Sequence, residues 1–176
     1  MGSARASDLL RLRDGRRVVI RPIAPDDKQR LADGYARSTA EDQLRRFLSP
    51  VPELTPAHLR YLTEIDHRDH EALIAVDADT HESLGLARYI RDRDDPELAE
   101  VAVGVGSAFQ QQGLATELLR RLAKRASEEG ITRFGALITA SNAPALRLIQ
   151  GVFATSRMER DGTAVRLELN LAQMRK

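Results

Sequence analysis

Residues 100–115, Glu-Val-Ala-Val-Gly-Val-Gly-Ser-Ala-Phe-Gln-Gln-Gln-Gly-Leu-Ala, change character twice within a short span. The first part, with Leu98 and Ala99 before it, is a short apolar run of strand type ending at Val105. A turn follows, and Gln110-Gln111-Gln112-Gly113-Leu114-Ala115 opens an amphipathic helix. A helix N-terminus presents unpaired N–H groups and about half a positive charge, so a pyrophosphate can sit there without a lysine. Gly113 allows the backbone a close approach to such a ligand. The segment has neither the Lys-Ser/Thr ending of a P-loop nor the Gly-x-Gly-x-x-Gly of a dinucleotide fold. Taken alone, a glycine before a helix also has the plainer role of turning the chain.

Downstream, Leu114, Leu118, Leu119, Leu122, Ala123 and Ala126 fall on one helical stripe, with Arg120, Arg121, Lys124 and Arg125 largely opposite. Gly130 suits the left-handed residue that ends such a helix. Residues 132–139 read as a strand and 143–150 as a short helix. Residues 152–158 and 164–171 then read as a hairpin turning at Asp161-Gly162.

Upstream, the strand over 98–105 is the last of three, after 72–76 and 84–90, and together they predict an antiparallel meander. The acidic turn at 91–96 is either a solvated loop or an attractor for a basic substrate. Nearer the start, residues 10–13 and 17–22 flank Asp14-Gly15 and predict a β-hairpin. Leu31, Ala32 and Tyr35 follow Asp26-Asp27 at helical spacing, and a second short helix is expected through Leu44 and Phe47. A third is capped by Thr55, begins at Pro56 and carries Leu59, Leu62 and Ile65 inward. Early helices, a meander, and then alternating strands and helices imply an α+β domain with a mixed sheet.

A chain of 176 residues can bury one domain's core. No apolar run approaches the roughly 18 residues of a membrane span. The start, Met-Gly-Ser-Ala-Arg-Ala-Ser, lacks a secretory apolar core, and Ala6 occupies the Ser/Thr position of a myristoylation motif. The absence of cysteine excludes disulfides, thiolate zinc sites and a cysteine nucleophile. These features lead to the expectation of a cytoplasmic protein with no membrane partner. A net charge of +1 lacks the basic excess of nucleic-acid binders, so no nucleic-acid partner is expected. Of the 27 basic residues, all but Lys28, Lys124 and Lys176 are arginine.

With these elements in place, the chain resembles the GNAT N-acetyltransferases. Their signature Gln/Arg-x-x-Gly-x-Gly/Ala after a strand is matched by Gln110, Gly113 and Ala115, and the asparagine opening their next helix by Asn142. Ile20-Arg21-Pro22-Ile23, Leu44-Arg45-Arg46-Phe47-Leu48, Thr63-Glu64-Ile65-Asp66 and Ala72-Leu73-Ile74-Ala75-Val76 look like bacterial protein-lysine acetyltransferase domains of the Pat type. The resemblance implies a mixed, mostly antiparallel sheet flanked by α-helices, forming a single domain over residues 10–171. Residues 1–9 are expected as a flexible N-terminus and 172–176 as a tail. It further implies acetyl-CoA as the acyl donor, no metal, and a CoA site built from Val103, Gly104, Val105, Gln110, Gln111, Gln112, Gly113, Leu114, Ala115, Thr116 and Asn142. Asn142 also has the plain reading of a helix N-cap.

In the family a glutamate on the CoA strand acts as base, and Glu100 holds that position on the face of Ala102 and Gly104. Its plain reading is a solvated or arginine-paired carboxylate. Two departures stand out: Ile149 replaces the tyrosine that protonates the departing thiolate, and the usual Gly-Phe is blurred into Gly151-Val152-Phe153-Ala154. The resemblance implies transfer to a protein lysine, with an acyl-CoA synthetase as partner. A small-amine acetyltransferase acting on polyamines, amino sugars or antibiotics, and a CoA-binding sensor without catalysis, are the alternatives. His67 and His70 with Asp66 and Asp69 have metal-ligand chemistry but no third ligand implied. Tyr35, Tyr61 and Tyr89 are expected as core residues, with Tyr89 a further candidate for an acceptor cleft.

Overall fold

The computed structural model describes residues 9–38 and 54–175. The second short helix expected through Leu44 and Phe47, and the Pat-like segment at 44–48, lie outside the described residues. Strands β1 (Leu9–Arg11), β2 (Arg17–Pro22), β3 (His70–Asp77), β4 (Ser83–Arg91), β5 (Leu98–Val105), β6 (Arg133–Thr139), β7 (Phe153–Asp161) and β8 (Ala164–Met174) form one sheet. Their order is β1-β2-β3-β4-β5-β6-β8-β7, and of the seven neighbouring pairs β5–β6 alone is parallel. The helices are α1 (Lys28–Ala36), α2 (Pro56–Thr63), α3 (Leu114–Glu128) and α4 (Ala143–Val152). None of the described helices is long and apolar enough to cross a membrane.

The alternation along β3 assigns the helices to opposite faces. Leu73 and Ala75 join Tyr89, Ala99, Val101 and Phe134 beneath α3, whose predicted stripe is wholly buried. Ala72, Ile74 and Val76 turn the other way and meet Ile23 and Leu31, with Leu59, Leu62 and Ile65 packed against them. A fully buried leucine contributes about 1.5–3 kcal/mol, so the stripe holds α3 firmly on the sheet. Thr55 caps α2 through the His58 N–H at 3.2 Å, as its spacing predicts.

The structure also corrects several expectations. β8 continues to Met174, which pairs with Phe153, so residues 172–174 belong to the sheet and not to a tail. Leu9 is likewise paired, to Val19. Tyr61 is 58% exposed, its ring 5.4 Å from His70, because it points away from the α2 stripe that carries Leu59 and Leu62 inward.

Asp27, 1% exposed, ties the end of β2 to α1. It accepts hydrogen bonds from Arg21 at 2.7 and 2.8 Å, from the Ala24 N–H at 2.9 Å, and from Arg30. Burial pushes its pKa up, but the Arg21 hydrogen bonds, the Ala24 N–H and Arg30 together outweigh burial and hold it below the usual carboxylate range. Asp27→Asn should therefore cost about 2–3 kcal/mol at pH 7, less than the 3–5 of a fully buried pair because both arginines are partly exposed. A carboxylate with a depressed pKa stabilises above its unfolded value of about 3.9 and loses that contribution as pH falls through the folded one. Urea unfolding of both proteins at pH 7 and below pH 4 should show the difference shrinking in acid.

Candidate active site

β5 and β6 pair over three positions, Leu98↔Arg133, Ala99↔Phe134 and Glu100↔Gly135. Beyond them β5 stays with β4 as far as Val105, and β6 stays with β8 as far as Thr139. The two strands diverge, and a cleft of ≈ 550 Å³ opens between them. On the cleft side, residues 101–105 have no strand partner, so their backbone groups face the opening as a strand edge does. Gly85 lets β5 and α3 come close beside it: a Cβ there would stand 3.1 Å from the Gly104 carbonyl and 3.3 Å from Leu118.

The loop after β5 leads straight into α3. Gly113, the N-cap residue, has φ +84°, and a Cβ there would meet nothing within 4 Å. Glycine thus takes the left-handed backbone without strain and leaves the cleft side bare. No side chain caps α3, so its first-turn N–H groups keep their capacity for a ligand. The acid in that turn, Glu117, is paired to Arg121 at 2.7 Å. The β1–β2 turn braces the loop from behind. Arg13 donates to the Gln111 carbonyl and the Asp14 N–H to Gln112 Oε1, each at 3.2 Å, while the Arg16 guanidinium lies 4.8 Å from the Phe109 ring centre. This brace spans 98 residues and leaves no trace in local sequence pattern.

Asn142 caps α4 by accepting the Ala145 N–H at 3.3 Å and lines the cleft as well, so its two readings coexist. Of the predicted site residues, Val103, Gly104, Val105, Gln110, Gln111, Gly113, Leu114, Ala115, Thr116 and Asn142 meet on this cleft. Gln112 does not line it, since its side chain turns to Asp14. Glu100 stands at the point of divergence, exposed and outside the lining, whereas Ala102, next on the same face, is within it. Among the described residues the Glu100 carboxylate makes no hydrogen bond or ion pair. Tyr35 and Ser38 from the end of α1, and Arg147 and Leu148 from α4, also line the cleft and were not marked by any motif. Ile149, 5% exposed, lines it where a tyrosine would stand in the family pattern.

The remaining constellations are structural. Asp66 accepts three backbone N–H groups, Asp69 pairs with Arg91 at 2.8 Å, and His67 with Glu71 at 2.7 Å. His70 lies 3.2 Å from Arg88, and burial, then the Arg88 charge, push its pKa down to about 4, leaving it neutral at pH 7. Tyr89 lines no acceptor cleft. It is fully buried, donates to the Arg68 carbonyl at 2.9 Å, and its pKa is pushed up to about 12 by burial and then by the Glu71 charge. In the acidic turn Asp92 accepts the N–H groups of Asp94 and Asp95, and Asp95 pairs with Arg133 at 2.6 Å.

A sheet opened between two parallel strands, with a bare helix N-terminus at the open end, offers a free strand edge and uncapped N–H groups to an extended, phosphate-bearing ligand. Residues 17–152 match the family model described as an acetyltransferase (GNAT) domain. The chain belongs to the GNAT acetyltransferase family. It is 32% identical over 133 residues to the acetyltransferase Pat of Mycolicibacterium smegmatis, covering 76% of this chain and 40% of that protein. To an acetyltransferase of Pseudomonas aeruginosa it is 31% identical over 134 residues, 74% of this chain and 71% of that one. The crystal structure of the GNAT domain of S. lividans PAT superposes with a TM-score of 0.84 at 30% identity, over 96% of this chain and 99% of that one. The chain therefore spans well under half the length of the mycobacterial relative and nearly all of the solved domain.

Gly113→Trp would place an indole in the cleft mouth and force a bulky residue into a left-handed backbone, a strain of about 1–2 kcal/mol that the fold can bear. Calorimetry should show acetyl-CoA affinity lost while the melting transition persists. Unchanged affinity would remove the loop from the donor site.

Proposed function

We propose that the chain transfers acetyl from acetyl-CoA directly to the side-chain amine of a protein lysine, with an acyl-CoA synthetase as the class of acceptor. The observation that carries this reading is the divergence of β5 from β6, which joins a free strand edge to an uncapped helix N-terminus. Those are the donors that a pantetheine arm and a diphosphate require. In this reading the backbone of Val103, Gly104 and Val105 bonds the pantetheine amides, Asn142 touches the arm, and the N–H groups of residues 110–116 hold the diphosphate. Acetyl-CoA, when bound, supplies an acetyl thioester at the narrow end of the cleft. There, β5 N–H groups polarise its carbonyl.

Glu100 handles the acceptor's proton. A lysine with pKa about 10.4 is neutral in roughly one molecule in 2,500 at pH 7, a cost near 4.6 kcal/mol, so a base that removes the proton is of direct use. Glu100 is exposed and, among the described residues, spends its charge on no neighbour. It stands two residues, about 7 Å, along the strand from Ala102 in the cleft wall, a gap that its side chain and one water can span together. Ile149 has no proton to give the departing thiolate, so that proton comes from solvent or from the acceptor.

A macromolecular acceptor is favoured over a small amine by what surrounds Glu100. Its register partner Ile90 is 39% exposed, and Ile90 in turn pairs with His70, on which the exposed Tyr61 ring rests. Among the described residues the base sits in an open, partly apolar surface and not in an enclosed pocket.

The test is to incubate wild-type and Glu100→Gln proteins with acetyl-CoA and, separately, acyl-CoA synthetases, polyamines and amino sugars, following CoA release across pH. Synthetase acetylation is expected, with kcat/KM of Glu100→Gln lower by about 10²–10⁴-fold near neutral pH and the gap narrowing as pH rises toward the amine pKa. Efficient turnover of polyamines alone overturns the protein acceptor. Wild-type rates in Glu100→Gln, when chemistry limits, remove Glu100 as base. No CoA release with any amine favours a sensor.

A further inference from the structure

CoA carries two charges on its diphosphate and about 1.5–2 more on its 3′-phosphate, whereas a helix N-terminus offers only about half a charge. Residues 110–116 contain no lysine or arginine. Among the described residues, cations beside the loop and the first turns of α3 are engaged elsewhere: Arg13 on the Gln111 carbonyl, Arg16 over Phe109 and with Asp77, Arg121 with Glu117. The cleft wall nonetheless contains one charged side chain among the described residues, Arg147. It lies on α4 with Pro144 and Leu148, three residues after one and one before the other, so the three share the stretch of helix surface that borders the cleft. Ile149 and Val152 turn inward at 5% and 1% exposure, while Arg147 is exposed where the cleft meets solvent. Its guanidinium makes no hydrogen bond or ion pair among the described residues.

We propose that Arg147 is the phosphate anchor of the donor site, binding a phosphate at the nucleotide end of CoA and so selecting the full cofactor over shorter pantetheine thioesters. The assignment rests on the donor reading of the cleft given above. In this assignment Arg147 touches a phosphate and not the reacting carbonyl, so it governs affinity and leaves the chemical step alone. A planar guanidinium can hold a phosphate with two parallel N–H bonds, which an ammonium cannot copy in geometry but can in charge.

The experiment measures calorimetric affinities of the wild type, Arg147→Gln and Arg147→Lys for acetyl-CoA, acetyl-dephospho-CoA and S-acetylpantetheine at low and high salt. Arg147→Gln should weaken acetyl-CoA about tenfold at low salt, less at high salt, and leave S-acetylpantetheine unchanged. Arg147→Lys should recover most of the loss. A penalty that vanishes with acetyl-dephospho-CoA assigns the arginine to the 3′-phosphate, and one that persists assigns it to the diphosphate; both support the proposal. An equal loss with S-acetylpantetheine, or no loss with acetyl-CoA while the wild type binds it, overturns the phosphate anchor alone. A wild-type chain that does not bind acetyl-CoA brings down the donor reading and the anchor with it.

Discussion

The structure turns on one parallel pair that is allowed to last three residues. β5 must stay bonded to β4 along its whole length and to β6 only at its start. A parallel pair needs a crossover connection, and here α3 provides it, rising from the end of β5 and returning to the start of β6. The crossover puts the helix N-terminus at the carboxyl end of β5, where the strands have parted. The unpaired edge and the unpaired helix N–H groups therefore arrive at one place for a topological reason. The buried stripe from Leu114 to Ala126 fixes that placement by holding α3 against β3, β4 and β5.

The cleft so formed reaches both faces of the sheet. Val101, Leu114 and Leu119 line it on the α3 side, and Ala102, Gly104 and Tyr35 on the side of α1. The proposed direct transfer needs a donor and an acceptor to approach the same point from opposite faces, and a cleft open to both faces permits that. Among the described residues its wall carries one charged side chain, Arg147, so its electrostatics come mainly from backbone dipoles and that arginine, with Glu100 outside the lining at the fork. The β1–β2 turn, by holding Gln111 and Gln112, orders the loop before any ligand arrives and lowers the ordering cost of binding.

Much of this was legible from periodicity. The α3 stripe, the left-handed Gly130 and the limits of β5 follow from local rules, and the resemblance carried by Gln110, Gly113, Ala115 and Asn142 pointed to the cleft. The misses share a cause. The tie of the Gln112 side chain to the hairpin turn is not visible in the loop's own pattern, and Arg147 reads as one more exposed helix arginine until the cleft is seen beside it. Tyr61 sits beside buried-type positions yet faces solvent, since a half-turn of helix separates those outcomes. Glu100 lies on the expected face, but its offset from Ala102 depends on where β5 and β6 part, and register between strands distant in sequence is not written in either strand alone.

The most direct test of the account is amide hydrogen exchange, read by residue, with and without acetyl-CoA. Bound donor should slow exchange at residues 101–105, where β5 lacks a partner on the cleft side, and at 110–116, where the helix N–H groups are uncapped, with little change in β1 to β3. Acetyl-CoA that binds yet leaves both segments exchanging as before would show that the parted strands are not its site.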